Sequence, residues 1–202
     1  SIVIISSPHA YTGAALLDEL AAGGVDISAA HRRGRTGSIV VLVDTSGERS
    51  FLTDPGVSRQ LAEPDPWWLD DVDVLHVPLY SMDGGPIAET TTTLIRWAHE
   101  RSIPVSFDAS SQSLIERRGP AAVRRLFDDL RPVALFANSD EARTLGIDGA
   151  VSGAITFVKH GRDPATVYVP GTDPVTVPGV GLGATVDSTG AGDAFAAGVL
   201  TH

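Results

Sequence analysis

The chain has 202 residues, with 25 acidic and 15 basic side chains and a formal net charge of −10. Its length fits one domain or two small ones, and 43% hydrophobic residues with 20% charged residues argue against global disorder. The acidic balance argues against a basic face that binds nucleic acid. No cysteine is present, which excludes disulfides, thiolate zinc sites and cysteine nucleophiles. Because no apolar run could span a membrane and the first residues lack a charged signal-peptide start, we expect a cytoplasmic protein without a membrane partner.

The first third of the chain predicts a strand, a helix and a hairpin. Residues 1–6 are typical of a short buried strand. Residues 13–22 predict an amphipathic helix with Leu16, Leu17 and Leu20 on one face, ended by Gly23-Gly24. Two strand-like segments then flank the small residues Thr45-Ser46-Gly47, which predicts a β-hairpin over 38–53.

From residue 72 onward, strand-like and helix-like periods alternate. The predicted strands cover 72–77, 104–108, 133–137, 154–159 and 165–169, and the predicted helices cover 86–100, 120–130, 139–145 and 194–200. This alternation predicts an α/β fold, a doubly wound, mostly parallel sheet with helices on both faces. Ligands of such sheets bind beyond the carboxyl ends of the strands. The candidate functional residues are therefore those that follow strands, namely Asp108, 138–141, 159–162 and 187–193.

The densest motif is the glycine-rich turn of residues 187–193, which leads into the last helix. Gly190 and Gly192 free the backbone of Cβ atoms, so that successive N–H groups can converge on an anion at the helix N-terminus. Asp193 follows in the first helical turn. Beside a phosphate, a carboxylate suits the role of a base that takes a proton from an attacking hydroxyl. The alternative is an aspartate that only complements the helix dipole.

The segment DSTGAGDAFAAG, residues 187–198, resembles the C-terminal signature of the ribokinase-like (PfkB) carbohydrate kinase family. Weaker matches precede it in the family's order. Asn138-Ser139-Asp140-Glu141 resembles the N-x-x-E motif, Val158-Lys159-His160-Gly161 a segment beside the nucleotide, and Thr36-Gly37 with Gly47-Glu48-Arg49 the β lid. The resemblance implies one ribokinase-like domain over 1–202, incomplete at both ends, with a β-hairpin lid at 36–53.

This resemblance implies an ATP-dependent kinase that transfers the γ-phosphate to a hydroxyl of a small sugar or sugar-like substrate. It implies that Asp193 is the catalytic base and that Gly190, Ala191 and Gly192 form the anion hole. It places Asn138, Lys159, Gly161 and Thr189 at the nucleotide. It also places Asn138 and Glu141 near Mg²⁺, through water, and Asp108 at the substrate. In some members a loop here binds a monovalent cation, to which Asp187 and Thr189 would contribute. A homodimer through the lid is a further implication.

Several alternatives stay open from the residues themselves. Asn138 also suits a helix cap, Lys159 a solvated strand end and Asp108 the start of a turn. The alternatives to a sugar kinase are a non-catalytic nucleotide- or sugar-binding regulator and an adenosine or nucleoside kinase. A dehydrogenase is disfavoured because no strand–GxGxxG–helix unit is present.

The chain also departs from the family pattern in three places. The family's N-terminal glycine pair is absent, since Gly23-Gly24 ends a helix instead. Ala109-Ser110-Ser111 stands where many members have Asn and Arg, which leaves the substrate class open. Pro164 stands where a glycine is usual in the nucleotide loop.

Overall fold

The computed structural model describes residues 11–30, 34–43, 49–179 and 190–201. The predicted strand over 1–6, the hairpin turn at 45–47 and the site residues Asp187, Ser188 and Thr189 lie outside these residues. The chain divides into two compact units. The first contains Ser1–Asp73 and Ser81–Trp97, and the second contains Val74–Tyr80 and Ala98–His202.

The first described element of the first unit is helix α1 (Tyr11–Ala22), which ends where the sequence predicts. Gly24 has φ +84°, and the N–H of Val25 donates to the carbonyl of Leu20 at 3.0 Å, which closes the last turn. Leu17 is buried, but Leu16 is 48% exposed. The predicted apolar face was therefore wrong at Leu16, because the buried side of this helix is narrower than a stripe of three leucines.

Two antiparallel strands follow in the first unit, β1 (Ser38–Val43) and β2 (Arg49–Asp54). Their register pairs Ser38 with Asp54 and Val43 with Arg49, which confirms the two predicted hairpin strands. Short 3₁₀ turns at Ser58–Gln60 and Pro66–Leu69 come next.

A six-stranded sheet forms the centre of the second unit. Its strands are β3 (Leu75–Pro78), β4 (Val105–Asp108), β5 (Ala134–Asn138), β6 (Ile155–His160), β7 (Asp163–Tyr168) and β8 (Val175–Val177), in that spatial order. β3 to β6 are parallel, and β7 and β8 are added antiparallel. Between these strands the chain forms a 3₁₀ turn (Leu79–Met82) and the helices α2 (Gly85–Glu100), α3 (Gln112–Arg118), α4 (Pro120–Leu130) and α5 (Ser139–Leu145). Most of α2 belongs to the first unit, which contains Ser81–Trp97. Neither α3 nor β8 was predicted from the sequence.

Helices of the second unit cover both faces of its sheet. On one face, Phe107 of β4 meets Phe127 of α4 edge to face. On the other face, Phe136 of β5 and Ala196 of helix α6 (Ala191–Leu200) share a buried cluster. This arrangement confirms the predicted α/β fold with a mostly parallel sheet and helices on both faces. In the described part of the chain, no helix combines the length and the apolar character needed to cross a membrane.

Candidate active site

A cavity of about 670 Å³ opens at the carboxyl ends of the parallel strands in the second unit. It is lined by His76, Pro78, Tyr80, Asp108, Ser110, Asn138, Glu141, Lys159, Gly161, Ala191, Gly192, Asp193 and Phe195. The cavity brings together the described residues to which the family resemblance gives a role, except Gly190, which lies at the start of α6. Of the wider candidate segments 138–141 and 159–162, Ser139, Asp140, His160 and Arg162 do not line it. The placement of these residues does not test the roles predicted for them, so the roles stay predictions.

The N-terminus of α6 forms one wall of the cavity. Gly190 caps the helix in the left-handed conformation at φ +77°, and the first helical bond runs from the N–H of Ala194 to the carbonyl of Gly190 at 2.9 Å. The N–H groups of residues 191–193 are therefore not used within the helix, and the helix dipole favours an anion there. Asp193 is exposed in this first turn and lines the same wall.

Lys159 and Asp108 form an ion pair in the cavity wall. Nζ of Lys159 donates to Oδ2 of Asp108 at 2.9 Å, and the two side chains are only 16% and 15% exposed. The other carboxylate oxygen of Asp108 accepts from the N–H of Ser110 at 2.8 Å and from its hydroxyl at 3.2 Å. A Cβ atom added to Gly192 would lie 3.2 Å from Nζ, so the ammonium lies close against the start of α6.

Asn138 and Glu141 form a capping box at the start of α5. Oδ1 of Asn138 accepts from the N–H groups of Asp140 and Glu141, both at 2.9 Å. In return, Oε2 of Glu141 accepts from the N–H of Asn138 at 2.8 Å. Burial raises the pKa of Glu141, and the bond from Asn138 lowers that pKa by less. The helix-cap alternative therefore describes the local structure, while both side chains also face the cavity.

The carboxylates of the cavity do not form a protein cage for a metal ion. Among the described residues, no three His, Cys, Asp or Glu side chains are grouped closely enough to bind one. Asp108, Glu141 and Asp193 nevertheless line one cavity. Such separated oxygen donors fit Mg²⁺, which keeps several waters and takes further oxygens from substrate phosphates.

Two cavity residues, His76 and Tyr80, were missed in the sequence. Nδ1 of His76 lies 2.9 Å from Oγ of Ser106, and desolvation lowers the pKa of this histidine although much of its surface is exposed. Partial burial raises the pKa of Tyr80, and the nearby carboxylates of Asp193 and Asp108 raise it further. The strand-end rule could have found Tyr80, which follows β3, because β3 pairs in parallel with β4 and ends at the same edge of the sheet. His76 lies within β3, so that rule does not select it.

Residues 10–202 match the pfkB family of carbohydrate kinases. This chain belongs to that family. A curated relative, the ATP-dependent ribose-1-phosphate kinase of Halopiger xanaduensis, is 33% identical over 188 residues. The alignment covers 90% of this chain but 60% of the relative, so the chain spans about 60% of the length of that enzyme.

Solved structures of kinases resemble this pfkB-family chain in fold. The adenosine kinase from Sinorhizobium meliloti has a TM-score of 0.83 at 22% identity and matches 98% of this chain and 64% of its own. The fructokinase with bound ATP from Xylella fastidiosa has a TM-score of 0.81 at 24% identity and matches 97% of this chain and 66% of its own. These similarities confirm the predicted ribokinase-like fold.

Proposed function

We propose that this pfkB-family protein is an ATP-dependent kinase that transfers the γ-phosphate to a hydroxyl of a small sugar or sugar-like molecule. One observation carries the proposal beyond family membership. The exposed carboxylate of Asp193 lines a cavity together with the N-terminus of α6 and the ammonium of Lys159. A base, a set of N–H donors and a cation in one cavity are what phosphoryl transfer to a hydroxyl requires.

In the proposed reaction, Asp193 accepts the proton of the acceptor hydroxyl while its oxygen attacks the γ-phosphorus of ATP. A new O–P bond forms as the bond to the β,γ-bridging oxygen breaks, and ADP leaves. The N–H groups of Ala191 and Gly192 would stabilise the charge on the transferred group together with Lys159. The proposal gives Gly190 the role of the turn that presents these N–H groups.

The proposal also assigns residues to the nucleotide and its metal ion. Asn138 and Glu141 would hold Mg²⁺ through water, and the ion would neutralise charge on the phosphates when bound. Gly161, which turns between β6 and β7 at φ +67°, would lie beside the nucleotide. Thr189 at the nucleotide, and a monovalent cation at Asp187 and Thr189, belong to the proposal through the family resemblance alone.

The acceptor follows from the relatives rather than from the cavity. Because a relative at 33% identity is named a ribose-1-phosphate kinase, ribose 1-phosphate comes first among the acceptors we propose. Adenosine and fructose come next, since kinases named for these acceptors share the fold. A panel of these compounds with free ribose, followed by ADP release, tests the assignment. Nucleotide binding without turnover on any acceptor would favour the regulator.

The variant Asp193→Asn tests the proposed base. We expect kcat on the preferred acceptor to fall by about 10³-fold, since a positioned base contributes roughly 10² to 10⁴. Asp129→Asn, an exposed position on α4, is the matched control and leaves turnover unchanged. Full turnover by Asp193→Asn would show that Asp193 is not the base.

We further propose a homodimer through the hairpin of β1 and β2. Val40, Leu42 and Leu52 are 56%, 53% and 61% exposed. Val40 and Leu52 are cross-strand partners, and Leu42 lies two residues along from Val40, so the three share one face. A cluster of exposed apolar side chains on one face of a hairpin suits a contact between two copies.

A further inference from the structure

The ion pair between Asp108 and Lys159 links two strands that are not neighbours. β5 lies between β4 and β6, and Asp108 is paired with Phe136 while Lys159 is paired with Asn138. The lysine side chain therefore reaches across the end of β5 to bond the aspartate. Its ammonium comes to rest beside Gly192, in the first turn of α6.

We propose that Asp108 is a positioning residue that holds the Lys159 ammonium at the start of α6 for phosphoryl transfer. This inference rests on the proposed kinase function and deepens it. The family resemblance implies that Asp108 contacts the acceptor. In this proposal, Asp108 acts through Lys159 instead.

The carboxylate of Asp108 is itself fixed, as a positioning group must be. One of its oxygens accepts two bonds from Ser110, whose φ of +54° is in the left-handed region. The second oxygen is directed at Lys159. With both side chains largely shielded from water, the attraction between the charges is stronger than that of an exposed pair.

Lys159 is the one lysine in the chain, and no other Lys or Arg is among the described residues that line the cavity. The position of the Lys159 ammonium therefore determines where a positively charged side chain can contact a phosphate in this part of the site. Gly192 permits the approach, because a side chain there would bring a Cβ atom within 3.2 Å of Nζ.

The test is a double-mutant cycle with Asp108→Asn and Lys159→Gln, measured on the preferred acceptor. We expect Lys159→Gln to lower kcat about a hundredfold and Asp108→Asn about tenfold, because a misplaced charge loses part of its effect on the transition state. In the Lys159→Gln background, Asp108→Asn is expected to cost less than about twofold, since the residue it positions is gone.

Nucleotide affinity separates positioning from direct binding. Lys159→Gln is expected to weaken MgADP binding about tenfold, the size of one charge-assisted hydrogen bond. Asp108→Asn is expected to weaken MgADP binding by less than Lys159→Gln does, because the ammonium is misplaced but its charge remains in the cavity. Asp129→Asn is the matched control and changes neither kcat nor MgADP binding.

A third measurement does not depend on turnover. In the protein labelled with ¹³C-lysine, the ε-CH₂ group of Lys159 is expected to give a shifted signal that responds to MgADP. In Asp108→Asn, we expect this signal to move toward that of free lysine. If no acceptor is phosphorylated while this shift is lost in Asp108→Asn, the kinase function fails and the positioning survives.

Three outcomes would overturn the positioning role itself. One is that Asp108→Asn lowers kcat in the Lys159→Gln background by the same factor of about ten as in the parent protein, which would mean that Asp108 acts without the lysine. Another is a Lys159 signal that does not change in Asp108→Asn. An increase confined to the KM of the acceptor would likewise return Asp108 to direct substrate contact.

Discussion

Among single residues, Glu141 couples the stability of the site to pH. It is 4% exposed, and burial raises its pKa from the ordinary value of 4.5. The folded chain therefore binds a proton more tightly at Glu141 than the unfolded chain does. This contribution to stability is fully present below pH 4.5 and is lost as the pH rises through the folded pKa.

The variant Glu141→Gln tests this coupling. The amide oxygen of the glutamine can still accept the N–H of Asn138, but the side chain does not ionise. We expect the free energy of unfolding to fall less steeply between pH 4.5 and neutral pH than in the parent protein. Urea unfolding at a series of pH values measures the slope. Identical slopes for the two proteins would contradict the raised pKa.

The sequence predicts which residues meet in the cavity better than it predicts how they pair. Asp108, Asn138 and Lys159 follow or end predicted strands, and the strand-end rule is sufficient to place them together. The bond between Lys159 and Asp108 could not be predicted, because it depends on the reach of one side chain over β5 and on the turn at Ser110. The burial of Glu141 depends in the same way on packing around α5.

At the scale of elements, the capping box fixes where α5 begins and therefore where Glu141 lies. We expect Asn138→Ala to lower the free energy of unfolding by about 1 kcal/mol, since two N–H groups lose their acceptor. Asn138→Asp keeps a cap acceptor and serves as the control, with a loss well below that of alanine. Chemical unfolding of the parent protein and the two variants measures these differences. An equal loss of unfolding free energy in both variants would show that the effect does not come from the cap.

Two elements show where local sequence signals are insufficient. Helix α3 has only two turns, and its stability comes from buried Leu114 and Ile115 and from the Ser111 side chain, which accepts the N–H of Leu114. Tertiary burial of this kind is invisible to a periodicity argument over so short a segment. Strand β8 is exposed along its whole length and is held by pairing with β7, so no apolar alternation marks it.

At the scale of the whole molecule, the proposed dimer can be tested on one strand of the hairpin. Leu52→Glu places a charge on the face that Leu52 shares with Val40, and we expect it to halve the molar mass measured by light scattering. Thr53→Glu, one residue along and exposed on the opposite face, is the matched control and leaves the mass unchanged. A monomeric parent protein, or dissociation by Thr53→Glu alone, would reject this face as the contact.

The fold class was predictable because its signal is repeated along the chain. Four strands with intervening helices impose parallel pairing, since parallel neighbours need a crossover. The last two strands differ because β6 and β7 are joined by a short turn at Gly161, which allows only antiparallel pairing. The prediction of one domain over 1–202 stays a prediction beside the two compact units.

Strand β8 has a consequence for how this edge of the sheet avoids pairing with strands of other molecules. Val175 and Val177 are 50% and 43% exposed, and no strand in the described part of the chain pairs with the outer edge of β8. An open edge with exposed valines is a template on which foreign strands can assemble. Pro174 and Pro178 flank the strand, and neither has an N–H to donate. Among the described residues, the edge of β8 therefore offers a ladder of only three residues, and so short an edge strand is a poor template for pairing with another chain.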